Sequence, residues 1–65
     1  MDSNLLKAKL VENDIKPAEL ATMLHKSRQA AYKKINGESE FTIEEFYIIC
    51  DKLKLSDAEA RKIFI

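Results

Sequence analysis

Four side chains near the middle of the chain carry hydrogen-bonding chemistry at a useful spacing: Arg28, Gln29, Tyr32 and Lys33. On a helix, at ~100° per residue, they fall within about 140° of one another. The arc presents a guanidinium, a carboxamide, a phenol and an ammonium. A guanidinium can grip guanine N7 and O6 with two prongs, and a carboxamide can do the same with adenine N7 and N6. A surface helix with no binding role can carry the same residue types, so this arc leaves both readings open. Ala30, Ala31 and Ile35 fall on the other side, where the alanines would let a second helix approach closely.

The elements needed to hold that arc follow from caps and periodicity. The spacing predicts helix one over residues 3–13, with Ser3 as its cap and Leu6, Leu10 and Val11 as its apolar stripe. Pro17 suits the first position of helix two, residues 17–24, where its missing N–H costs nothing. Lys16 before it is a poor cap. Leu20, Ala21 and Leu24 give that helix its inner face. His25-Lys26 is a short break. Ser27 then caps helix three, residues 27–36, which Asn36-Gly37 stops. Thr42 and Glu45 form a capping box for helix four, residues 42–53, with Phe46, Ile49, Cys50 and Leu53 inward. Ser56 and Glu59 form another for helix five, residues 56–64. No segment alternates apolar and polar between hairpin turns. The expectation is one all-α domain of five helices over residues 1–65. A short helix, a tight turn and a second helix ending in Asn-Gly have the layout of a helix-turn-helix.

Length and composition exclude several classes. Sixty-five residues make one domain with a modest core. The chain is 46% apolar and 34% charged, which is a globular rather than a disordered balance. No nucleophile–base pair, no His–carboxylate pair and no Gly-rich phosphate loop stands out, so an enzyme is not expected. Cys50 is the one cysteine. It can form neither an internal disulfide nor a thiolate cluster, and its apolar neighbours mark it as a small core residue. No metal, cofactor or small-molecule substrate is expected. No apolar run approaches the ~20 residues that span a bilayer, and no basic-then-apolar leader opens the chain. A reducing, cytosolic setting and no membrane are expected. With no linker after helix five, the chain also reads as a complete small protein.

Net charge is zero, but the charges are segregated. Residues 1–37 hold seven cations against four acids, a net +3, and residues 38–65 hold four cations against seven acids, a net −3. That asymmetry predicts a basic face in the first half and an acidic one in the second.

The stretch Glu19–Gly37, ELATMLHKSRQAAYKKING, resembles the helix-turn-helix of the Cro/repressor (Xre-type, lambda-repressor-like) family of phage and bacterial regulators. ELA in helix two, SRQ opening helix three and the closing NG stand where that family has them. Together they are a fairly specific signal, though each alone is weak. The likeness runs from Leu6 to Leu55, with a Leu-x-Leu-Ser lead-in to helix five. It implies a compact five-helix domain whose third helix enters the major groove. It also implies base contacts from Ser27, Arg28, Gln29 and Lys33, with Tyr32 beside them. Asn36 and the N–H groups around Gly37 and Ser39 would contact the DNA backbone. Lys16, Lys26 and Lys34, with Lys33, would supply phosphate contacts.

The chain departs from that family at several positions. Pro17 stands where a Gln commonly touches phosphate and braces helix three, and it can do neither. His25 stands where a left-handed Gly is usual; a turn role is expected for it. Bulky apolar residues are usual at Ala31 and Lys34, and Ile35 is expected to restore the core volume. A buried Arg–Glu pair is common at Leu10 and Ile35, which here should pack together. Glu38 and Glu40 make acidic a loop that is often basic.

The leading expectation is a sequence-specific transcriptional regulator that binds a double-stranded operator, as a homodimer on two half-sites about one DNA turn apart. Ile63-Phe64-Ile65, or helices four and five, would supply the contact between copies unless Ile63 and Phe64 close the core. The alternative is a protein-interaction module of the same fold, an antirepressor or modulator that binds a repressor. The acidic second half and Pro17 fit that alternative.

Overall fold

In the computed structural model, which describes all of residues 1–65, five helices and no strand make up the chain. They are α1 (Ser3–Glu12), α2 (Pro17–Met23), α3 (Arg28–Ile35), α4 (Ile43–Lys52) and α5 (Asp57–Phe64). The core is aliphatic and draws on every helix: Leu6, Leu10, Leu20, Leu24, Ile35, Ile49, Leu53 and Ile63. Leu10 and Ile35 share this core, as expected for two aliphatics at the places of a charged pair. No helix is long and apolar enough to cross a membrane.

Four of the five starts use a side-chain cap that satisfies an otherwise orphaned N–H. Ser27 accepts from Ala30, Thr42 from Glu45 and Ser56 from Glu59, as the sequence predicts. The first helix is different. Asp2, not Ser3, is its cap, accepting from the Leu5 N–H at 3.0 Å. A tertiary bond decides this: the Asp2 N–H donates to the Ile63 carbonyl and holds Asp2 extended beside α5. In α2 only the backward half of a box exists, because an ammonium cannot accept; the Glu19 carboxylate takes the Lys16 N–H at 3.3 Å.

The first four helices all end in the same way. The residue after each C-cap is left-handed: Asp14 (φ +56°), His25 (+56°), Gly37 (+83°) and Lys54 (+52°). The next N–H then reaches back five residues, from Ile15 to Leu10, Lys26 to Ala21, Glu38 to Lys33 and Leu55 to Cys50. This is the Schellman closure, usually built on glycine. Only one of the four is glycine. His25 has the turn conformation expected of it.

Three inward expectations are corrected. Val11 is 79% exposed, because it lies ~100° around the helix from Leu10 and outside the Leu6–Leu10 stripe. Phe46 is half-buried, since the aromatics form a second layer: its ring meets Phe64 edge-on at 4.9 Å, and Phe64 meets Phe41 at 6.0 Å. Cys50 is half-buried too, and burial, with Asp57 nearby, pushes its thiol pKa up. A thiol so shifted is a packing group, not a nucleophile. At the far end, Ile63 is fully buried and Ile65 is 96% exposed, so α5 does close the core.

Candidate nucleic-acid interface

The position of α3 is fixed from below by small residues. Ala31 is fully buried and Ala21 of α2 is 3% exposed, so the two helices approach without bulky side chains between them. Ile35 completes the inward stripe at i+4 from Ala31. With that face committed to the core, the period of the helix turns Arg28, Gln29, Tyr32 and Lys33 outward, and all four are exposed. None takes part in an intramolecular side-chain hydrogen bond or ion pair. Ser27 is exposed as well, with its hydroxyl oxygen occupied as acceptor from the Ala30 N–H at 3.1 Å. The Arg28 and Gln29 N–H groups at the start of α3 are left without backbone partners. They add the positive end of the helix dipole to the same surface.

Lys16 and Lys26 flank α2, exposed and free of ion pairs, so their ammonium groups stay available to anions. Lys34 does not. Its Nζ sits 2.5 and 2.7 Å from the two carboxylate oxygens of Glu45. The side chains are only 13% and 5% exposed. The expected phosphate contact from Lys34 is therefore corrected: at position i+3 from Ala31 the side chain turns toward α4, where an unpaired carboxylate would be buried without it. Glu45 also accepts the Thr42 N–H at 2.8 Å. Burial alone would raise its pKa; the Lys34 ammonium and the Thr42 N–H outweigh that and hold it below the usual carboxylate range.

The loop after α3 is also corrected in part. The N–H groups of Gly37, Glu38 and Ser39 donate to the Lys34 and Lys33 carbonyls at 2.8 to 3.3 Å, closing the helix. They are not free for phosphate. What remains is the exposed Asn36 carboxamide and the hydroxyl of half-buried Ser39. Glu38 and Glu40 are exposed beside them. Gly37 needs its lack of a side chain twice over: its φ is +83°, and a Cβ there would lie 3.1 Å from Ser3 Oγ.

Sequence reasoning found the outward arc because it depends only on helical period. It missed the Lys34–Glu45 pair, whose partners are 11 residues apart. A lysine at a place where this kind of helix has a bulky apolar residue was the available signal.

Residues 6–59 match the model of a family described as helix-turn-helix. Neither the curated proteins nor the solved structures contain a match to the chain.

Proposed function

Since the chain belongs to the Cro/Xre-type helix-turn-helix family of DNA-binding regulators, we propose that it is a sequence-specific regulator of phage Cro or repressor type that lays α3 in the major groove. The observation that carries this reading is the unpaired outward arc on α3. Four polar side chains are exposed with no partner of their own, on a helix whose other face is locked by Ala31 and Ile35.

In this reading Arg28 and Gln29 read base edges, and Ser27, Tyr32 and Lys33 stand beside them. Lys16, Lys26, Asn36 and Ser39 hold phosphates, which position the helix without reading sequence. One domain of this size makes few contacts, so two copies on half-sites about one turn apart supply useful affinity. Of Ile63, Phe64 and Ile65, only Ile65, just past the end of α5, is left exposed for contact between them.

The acidic loop favours a second reading. Glu38 and Glu40 would face the phosphate path and repel it, which suits a module that binds a repressor instead. A gel shift against duplexes flanking the gene, at several salt concentrations, separates the two. A salt-sensitive shift that weakens in Arg28→Ala supports the DNA reading. Binding only to a repressor protein, with no shift at low salt, supports the other.

A further inference from the structure

An open groove of about 340 Å³ runs where α1, the α1–α2 turn and α3 meet. Val11, Ile15, Pro17 and Tyr32 give it apolar walls, and Asn36 also lines it. Lys7 is the one charged residue in the lining. Lys16 and Lys33 adjoin Pro17 and Tyr32 in the chain, and none of these three lysines has an acid partner. Of the carboxylates in these segments, Glu12 pairs with Lys9; Asp14 and Glu19 are in no ion pair, although Glu19 accepts the Lys16 backbone N–H. The groove is thus apolar, exposed at Val11 (79%) and Tyr32 (48%), and three lysines in no ion pair outnumber the two such carboxylates in the segments around it. Its complement is an apolar stripe that carries carboxylates.

α4 displays such a stripe. Ile43 is 73% and Tyr47 65% exposed. Glu44 and Asp51 are exposed with them, and the four lie within about 100° of arc. Glu40 precedes them. None of these acids is in an ion pair. Stripe and groove share no residue. We propose that the α1–α3 groove is the docking site for the Ile43–Asp51 stripe of a second copy of this chain.

The contact joins two different faces. It is therefore head-to-tail, leaving a free groove at one end and a free stripe at the other. The +3 and −3 halves of the chain favour that orientation over a symmetric one. A net charge of zero does not oppose it. Because Tyr32 and Asn36 belong to the groove, a docked copy covers part of α3. Self-association and DNA binding then exclude each other, a consequence that rests on the function proposed above; the association itself does not.

Analytical ultracentrifugation of the full chain without DNA tests the proposal. At low salt the average mass should rise with concentration past that of a dimer. It should return to that of the monomer at about 1 M salt, where the Debye length is ~3 Å. Val11→Asp spoils the groove and Ile43→Asp the stripe; both sites are exposed, and circular dichroism checks that both variants stay helical. Each alone should associate about tenfold more weakly or worse. Mixed, they should form a one-to-one dimer and nothing larger, because the intact stripe of one meets the intact groove of the other. A wild-type chain that stays monomeric, a dimer that survives either change, or a mixture that stays monomeric would each overturn it. Added duplex DNA should disperse the wild-type assemblies. Assemblies that form as described but ignore DNA would count against the DNA reading alone.

Discussion

Lys34, near the end of α3, and Glu45, in the first turn of α4, form a buried ion pair with both carboxylate oxygens engaged, at 2.5 and 2.7 Å. The same carboxylate caps Thr42. One side chain thus ties the helix that carries the candidate base contacts to the helix after it, across the loop that holds Gly37 and Ser39. Removing one member leaves a buried charge. Glu45→Gln should cost about 3 kcal/mol, a large share of the roughly 3–10 kcal/mol available to a chain of this size. Replacing both members together should cost less than the two single changes added, because neither charge is then left buried alone. Urea denaturation of Glu45→Gln, Lys34→Met and the double variant checks this, with a coupling of about 1–3 kcal/mol expected between the two sites.

The helix ends offer a gain in stability. Lys54 and His25 hold left-handed conformations that disfavour a side chain by about 1–2 kcal/mol. Lys54→Gly should therefore raise stability by up to about 1 kcal/mol after the entropy of glycine is counted. Lys54 is exposed and in no ion pair, so nothing else is lost. Thermal unfolding should show a midpoint several degrees higher. Gly37→Ala should go the other way, from its φ of +83° and its approach to Ser3.

Stability should fall with acid in a defined window. The Glu59 carboxyl is held down to about 2 by the Lys9 ammonium, with the Ser56 N–H and hydroxyl adding to it. Glu45 is lowered too. Their folded pKa values lie below the unfolded value of about 4.3. The stabilisation Glu59 gives is complete above that pH and is lost as pH falls toward about 2, because the unfolded chain takes up protons first; that from Glu45 is lost in the same direction. Unfolding followed by circular dichroism from pH 6 to 2 should show stability falling below pH ~4.3. Glu59→Gln should make the fall shallower.

Much of this fold is local and so is legible in sequence. Ser27, Thr42 with Glu45, and Ser56 with Glu59 act within one turn, and their spacing announces them. The outward arc of α3 needs only the helical period. The illegible parts are those that tertiary contact decides. Asp2 and Ser3 are both capable caps, and a bond from Asp2 to the Ile63 carbonyl, 61 residues on, makes the choice. Asp14 and Lys54 are left-handed without being glycine, because the closing bonds to Leu10 and Cys50 require it. Glu45 already had a role as a capping residue, so nothing local marked it as buried or as the partner of Lys34. The candidate site changes accordingly: Lys34 leaves the phosphate set, and the loop N–H groups turn inward.

The acidic loop should act as a brake on DNA binding. Glu38 and Glu40 are exposed and unpaired beside Asn36 and Ser39. Changing both to Gln should tighten binding about threefold or more at low salt, on every duplex alike, since phosphate repulsion carries no sequence information. Fluorescence anisotropy on two unrelated duplexes checks both the gain and its uniformity.

In the function proposed above, α3 reads base edges through Arg28 and Gln29. The most direct measurement selects duplexes from a random pool with the wild-type chain, then compares Arg28→Ala on the best duplex and on an unselected one. Arg28→Ala should lose about 1–3 kcal/mol on the selected duplex, with relaxed preference at one base pair and little change on the unselected one. A pool that yields no preferred sequence, or an Arg28→Ala variant that keeps the wild-type preference, would contradict it.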